Sequence, residues 1–294
     1  MAALGARLLL AVVWLLHWLP LGVQAAVGRA LGLLLHRLGR SRREVALRNV
    51  ELCLPELPAG ERSALVREHF QWLGRSLLER GLLWYAGPGR LRRLIHVEGD
   101  VGLAERSDQP VMWLVPHFMA LDVAGVATQL FQRRRVGSIY QAQSNAVLDA
   151  AMRRGRLRFE QAEVFSRHES ALPLVRAIKR GHAFFNLPDM DFGPRDAAFV
   201  PFFGVPAATL LAPSRMARSL KMVVQPVVAE ALPGGQGYRV RFLEPWTDWP
   251  TDDAEADARR MNAWIEQEIR RNPAQYLWVH KRFKTRPEGQ GPLY

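Results

Sequence analysis

One cysteine in 294 residues, Cys53, leaves no internal disulfide to form, and nothing in the thiol count asks for an oxidising compartment. Cys53 lies in an apolar stretch with no basic activator adjacent in sequence, the setting of an inert buried thiol rather than a nucleophile. The chain also lacks a Gly-x-Ser-x-Gly elbow, a Walker A loop, a dinucleotide-binding glycine fingerprint and a His-Glu-x-x-His zinc pair. Those absences remove the sequence support for serine hydrolases, P-loop NTPases, Rossmann dehydrogenases and zinc peptidases. There is no internal repeat or low-complexity linker. Acidic residues are few beside basic ones, 28 Asp+Glu against 40 Lys+Arg, and the formal net charge of +12 selects anionic partners. Phosphorylated lipid, an acidic protein and nucleic acid all qualify on charge. Nucleic acid is set aside, because no recognisable binding module for it is present.

The longest stretch without Lys, Arg, Asp or Glu is residues 8 to 28, close to the length of one bilayer crossing. Membrane attachment is therefore expected, either as a tilted span or as a shallow interfacial hairpin broken at Pro20. Arg7 precedes the stretch, whereas Arg29, Arg37, Arg40, Arg42 and Arg43 follow it, which puts the body of the chain on the cytoplasmic side.

Residues 61 to 85 carry apolar positions at helical spacing with charge on the other face. After Gly87-Pro88-Gly89, short apolar runs alternate with helical stretches. Strands are expected at Leu94 to Val97, Val111 to Val115, Val136 to Tyr140, Ala183 to Leu187, Met222 to Val228 and Tyr238 to Phe242. Helices are expected at about 118 to 131, 145 to 158, 169 to 180, 208 to 220 and 253 to 272. The alternation predicts an α/β fold, a mixed sheet flanked by helices, with the last two strands antiparallel across Pro233 to Gly237.

Three segments carry candidate chemistry. His117 stands at the end of an apolar strand, after Pro116 and five positions before Asp122. Eight His and 28 acidic residues in this length give about one such spacing by chance. Because residues five apart on one helix diverge by about 140°, the two meet only if His117 precedes the helix. In such a dyad Asp122 fixes the imidazole tautomer and the free nitrogen takes a proton from a hydroxyl. The competing reading is a core histidine satisfied by a carbonyl. A second segment, Arg153-Arg154-Gly155-Arg156-Leu157-Arg158, suits phosphate or carboxylate binding, or is a solvated basic helix face. The third, Asn186 to Arg195, places Asp189 and Asp191 on a strand-end loop, as ligand-orienting carboxylates or as ordinary turn residues. No metal or cofactor is expected there, since two carboxylates lack further close oxygen ligands. Downstream, Phe199 to Pro206 is apolar enough to line an acyl pocket or to bury itself as core.

Taken in order, the apolar amino-terminal segment, Arg48-Asn49-Val50 with Leu54-Pro55, the His117 to Asp122 box, Gly155 to Arg158, Asp189 to Arg195 and Gln275 to Pro287 resemble the lipid A biosynthesis (late) acyltransferase family. The resemblance spans nearly the whole chain. It implies a glycerolipid-acyltransferase-like fold, with residues 1–40 as a membrane anchor and 41–294 as the acyltransferase domain at the bacterial inner membrane. It further implies acyl carrier protein as donor, a Kdo-lipid IVA-type lipid A precursor as acceptor, and no acyl-enzyme. His117 and Asp122 would be catalytic, while Arg156, Asp189, Asp191 and Arg153 would bind substrate. Gln141 departs from the arginine that the resemblance implies after Tyr140. Two alternatives remain: acyl transfer from acyl-CoA to another glycolipid or a lysophospholipid, and a non-catalytic membrane protein that binds anionic lipid.

Overall fold

From residue 95 onward strands largely alternate with helices, and seven of the strands gather into one main sheet. The computed structural model describes residues 2–167 and 171–294, so the first two residues of the helix expected over 169 to 180 lie outside the described residues. Four helices come first: α1 (Ala2–Leu16), α2 (Leu21–Leu38), α3 (Arg40–Cys53) and α4 (Ala59–Tyr85). Next come α5 (Pro88–Leu94), β1 (Ile95–Gly99), α6 (Leu103–Arg106), β2 (Val111–Leu114), α7 (Leu121–Leu130), β3 (Val136–Tyr140) and α8 (Ala146–Leu157). The chain continues through β4 (Ala162–Ser166), α9 (Leu172–Lys179), β5 (Ala183–Asn186), β6 (Ala197–Phe202), β7 (Val205–Leu210) and α10 (Ala212–Ser219). It closes with β8 (Val223–Ala231), β9 (Tyr238–Phe242) and α11 (Ala254–Arg271).

The main sheet runs β1-β9-β8-β2-β5-β3-β4, and every neighbouring pair is parallel except β8 with β9. The expected antiparallel partnership of the last two strands is thus present, closed by a turn whose Gly234, Gly235 and Gly237 all have positive φ. Side chains on a strand alternate between faces, so Met112 and Leu114 join one buried cluster while Val111, Trp113 and Val115 join the other. Both faces are covered by helices, which is why β2 is apolar throughout rather than alternating.

A single crossing over residues 8 to 28 is not what forms. The chain breaks at Pro20 into α1 and α2, 15 and 18 residues long, and α1 at about 1.5 Å per residue falls short of a hydrocarbon core of roughly 30 Å. Among the described residues no helix is long and apolar enough to cross a membrane. Instead α2 lies against α4 at backbone contact. A Cβ added at Gly32 would sit 2.0 Å from the Phe70 carbonyl oxygen, and one at Gly74 would sit 2.2 Å from that of Gly28. Glycine at these positions is what lets the two helices approach so closely. The outer surface of the α1 and α2 pair nevertheless keeps Leu8, Leu15, Trp18 and Leu38 at least 60% exposed.

Phe199 to Pro206 is not a loop, and its Phe202 lines a small cavity together with His117. It forms an antiparallel hairpin, β6 with β7, turned by Phe203 and Gly204 at positive φ, with Phe202 fully buried. The paired prolines 201 and 206 explain why no strand was expected there, since proline lacks a ladder donor.

Candidate active site

Two neighbouring parallel strands end in step. Leu114 of β2 pairs with Asn186 of β5, and Val115 N–H donates to the Asn186 carbonyl at 2.9 Å. Each strand then meets a proline, Pro116 or Pro188, which cannot extend the ladder. One residue further on stand His117 and Asp189, three past the paired positions, so the register itself brings them side by side. His117 Nδ1 lies 2.6 Å from Asp189 Oδ1, and the His117 backbone N–H donates to Asp189 Oδ2 at 2.9 Å. The site sits at the carboxyl ends of parallel strands, where open α/β sheets place their ligands.

Asp189 is wholly buried, whereas the His117 ring keeps 15% of its surface open. Burial works to raise the Asp189 carboxyl, but the facing His117 and its two hydrogen bonds outweigh it and hold the group below the usual carboxylate range. An ionised Asp189 accepts the Nδ1 proton, and that fixes the tautomer with a bare Nε2. The Tyr276 hydroxyl lies near the same carboxylate, and burial, then the Asp189 charge, push it well up. Nearby, His280 Nε2 accepts the Asp191 N–H at 3.1 Å, and burial, then the neighbouring His117, push its imidazole down to about 4. His280 is therefore neutral at physiological pH.

Asp122 does not supply the carboxylate that bonds His117. It begins α7 on the far side of the loop, where Arg156 Nη2 reaches its Oδ1 at 3.2 Å and Arg80 Nε its Oδ2 at 3.3 Å. Burial raises this carboxyl, and the two guanidiniums together outweigh that and leave it below the usual range. Both arginines remain about 30% exposed, so each has donors to spare for a ligand. Arg156 also lies over the Tyr140 ring. Arg153 is exposed one helical turn away on α8.

Asp191, expected to bind substrate, is spent on the fold. Its oxygens accept Gly193 N–H at 2.9 Å, Thr285 N–H at 2.7 Å and Thr285 Oγ1 at 2.7 Å, pinning the carboxyl-terminal segment. That segment is built into the site: Leu277 N–H donates to the His117 carbonyl at 3.0 Å, Met119 N–H to the Gln275 carbonyl at 2.8 Å, and Asn49 bridges the Trp278 and His280 carbonyls. At Gln141, where an arginine was implied, Arg167 Nη1 reaches Gln141 Oε1 at 3.0 Å from the neighbouring strand end and brings a guanidinium to that place. Cys53 is buried, and burial pushes its thiol far up, out of nucleophilic range.

Sequence reasoning missed Arg80, Tyr276 and His280 as individual residues. Arg80 carried no signal, being one of several charges on the polar face of α4. The others lay inside the carboxyl-terminal block but touch the site only through tertiary contact.

Beside the loop opens an apolar cleft that is continuous with solvent. Asp122, Arg156 and Leu121 stand at one end of it, together with Leu187, two residues before Asp189. Trp84, Val126, Val136, Val164 and Phe185 form its walls.

Residues 2–285 match the family model described as bacterial lipid A biosynthesis acyltransferase. The chain is 34% identical over 288 residues to a lipid A biosynthesis palmitoleoyltransferase of Escherichia coli (strain K12), covering 97% of this chain and 92% of that protein. Against the lipid A biosynthesis lauroyltransferase of the same organism the identity is 34% over 289 residues, covering 96% and 92%. Against its lipid A biosynthesis myristoyltransferase it is 31% over 272 residues, covering 91% and 82%. The crystal structure of a 1-acyl-sn-glycerophosphate acyltransferase from Thermotoga maritima aligns with a TM-score of 0.39 at 12% identity, over 77% of this chain and 94% of that one.

Proposed function

The chain belongs to the bacterial lipid A biosynthesis acyltransferase family, and from that premise we propose that it moves a fatty acyl group from acyl carrier protein to a hydroxyl of a Kdo-lipid IVA-type lipid A precursor. The observation that carries the mechanism is the 2.6 Å contact between His117 Nδ1 and the buried Asp189 carboxylate. With Nδ1 protonated toward Asp189, Nε2 takes the proton of the acceptor hydroxyl as its oxygen attacks the thioester carbonyl. A tetrahedral oxyanion forms. It collapses with cleavage of the C–S bond, and the imidazolium returns its proton to the departing pantetheine thiolate. The acyl group ends as an ester, and no enzyme nucleophile is used.

Asp122 acts one step removed in this reading, as the anion that holds Arg80 and Arg156 side by side. Two guanidiniums about one carboxylate leave a net positive site, suited to a phosphate of the acceptor or to the phosphopantetheine of the donor. Exposed Arg153 extends that site toward an acidic carrier. The apolar cleft takes the acyl chain. Relatives of similar identity are named for palmitoleoyl, lauroyl and myristoyl transfer, so identity alone does not choose the chain.

The test is purified enzyme in mixed micelles with the lipid A precursor and either acyl carrier protein or coenzyme A as the acyl donor, read by mass spectrometry. One added acyl group from the carrier-protein donor is the expected result. Transfer only from acyl-CoA, or only to a lysophospholipid, overturns the assignment of donor or acceptor and leaves family membership standing.

The exposed apolar surface of α1 and α2 supports a reading in which the protein attaches to a membrane. Leu4, Leu8, Leu15 and Trp18 project from the pair, and Arg29 and Arg37 follow on exposed positions, the pattern of a helix pair lying in the interface of an anionic leaflet. The body would then sit on the cytoplasmic side of the inner membrane. Replacing Leu8 and Trp18 together by Ser removes about 3 kcal/mol or more of apolar contact with lipid. Co-sedimentation with phosphatidylglycerol-containing vesicles is expected to weaken by roughly a hundredfold. Unchanged sedimentation would remove this face from the membrane account.

A further inference from the structure

We propose that Gly125 sets the longest acyl chain this enzyme accepts, by keeping open the middle of the cleft that follows α7 from Asp122 to Gln129. The inference rests on the acyl-transfer reading above and adds a specificity-determining position to it.

Asp122, Gly125, Val126 and Gln129 all line the cleft, and their spacing is one stripe along a helix. Seven residues at about 1.5 Å each put Gln129 about 10 Å along α7 from Asp122, with Gly125 between them. A Cβ built at Gly125 meets no heavy atom within 4 Å. The contrast is Gly155 on the opposite wall, where a Cβ would lie 2.2 Å from Trp84 Cδ1 and glycine is needed for packing. Packing against the protein gives no such reason at Gly125. Glycine inside a helix is also less favourable than alanine, so the helix by itself does not explain it either. What the missing side chain provides is room on the cleft side.

Beyond Gly125 the cleft turns polar. Thr128 Oγ1 and Gln129 Nε2 both donate to the Gly125 carbonyl at 2.9 Å, and that fixes the Gln129 amide. Its Oε1 is left buried without a partner among the described residues. A hydrocarbon terminus that reaches Thr128 and Gln129 meets polar side chains in place of apolar wall, so the favourable apolar run stops about one turn past Gly125. A side chain at position 125 would occupy the segment just before that stop.

The experiment compares Gly125→Ala and Gly125→Leu with wild type, using acyl carrier protein loaded with saturated chains from octanoyl to palmitoyl. The readout is the ratio of kcat/KM for the longest donor that wild type uses to that for the shortest. Each methylene that loses its burial lowers the ratio by roughly fourfold. Gly125→Ala should therefore lower it by about fourfold and Gly125→Leu by more than tenfold, with the acylated lipid shifting to shorter chains in the mass spectrum. Alanine favours the helix, so the Ala variant remains a fair test if the larger one fails to fold. A ratio unchanged in a folded variant, including an equal loss with every donor, overturns the role of Gly125 while acyl transfer by wild type stands. Wild-type protein inactive with every donor sinks the acyl-transfer reading itself, and the inference with it.

Discussion

His117→Ala is expected to lower the rate of acyl transfer by roughly a thousandfold or more and to lower the unfolding midpoint, because buried Asp189 loses its ring partner, while the chain still folds and vesicle association stays near wild type. Positioned general bases typically contribute 10²- to 10⁴-fold, and here the base also returns the proton to the leaving thiol. The fold survives because the residue's structural bonds belong to its backbone. Asp189 Oδ2 still accepts the N–H of residue 117, the carbonyl of residue 117 still accepts Leu277 N–H, and the Tyr276 hydroxyl stays beside Asp189. Removing a ring that is 15% exposed opens a small space toward solvent rather than a sealed void. Initial rates with the purified variant, alongside its thermal melt and vesicle binding, check this. Transfer within tenfold of wild type would take the proton-abstracting role from His117, and loss of folding together with activity would assign it to structure.

How far the sequence announced this site differs from residue to residue. The sheet was legible where strands are apolar and central: β3 and β9 match their expected bounds, and β2, β5 and β8 differ at their ends. The edge strand β4 was missed because Ala162-Glu163-Val164-Phe165-Ser166 carries too short an apolar signal, and its sheet position, unlike its sequence, is set by pairing with β3. His117 was legible as a strand-end histidine behind a proline. Its carboxylate was misassigned, because spacing along the chain favours the residue five positions on, whereas register across the sheet favours the residue that follows the partner strand's own proline. Val115-Pro116-His117 and Leu187-Pro188-Asp189 repeat one pattern, and only the adjacency of β2 and β5 makes the repeat meaningful. The amino-terminal stretch was legible as apolar and broken at Pro20. That α2 would bury Gly28 and Gly32 against α4 was not, since helix crossings leave no periodic mark beyond the glycines themselves.

The division of labour between the two carboxylates yields the second large effect. In Asp189→Asn the amide accepts the His117 backbone N–H through its oxygen and turns its NH₂ toward Nδ1. That nitrogen must then carry the lone pair, the proton moves to Nε2, and the ring can no longer take a proton from the acceptor. A wrong tautomer of this kind costs on the order of 10³- to 10⁴-fold in kcat where a carboxylate orients a histidine base. The variant should fall mainly in kcat, with KM for the lipid little changed. Asp122→Asn leaves the His117 and Asp189 bonds in place but removes the charge that gathers Arg80 and Arg156, and two unpaired guanidiniums then repel one another. Its loss should be smaller, about ten- to a hundredfold, and should appear chiefly in KM for the phosphorylated substrate. Acid adds an independent check, because both carboxyls are held below the usual range. A depressed native pKa contributes stability that is present above the unfolded value and lost as the pH falls through the native one. Wild type should therefore keep that contribution from neutral pH down to the ordinary carboxylate value and lose it below, as the pH falls through the native one, whereas either Asn variant should melt earlier at neutral pH and close the gap in that acid range. If Asp122→Asn instead abolishes kcat while Asp189→Asn leaves it intact, the carboxylate that orients His117 during turnover is the one on α7, and the bond across the sheet is structural.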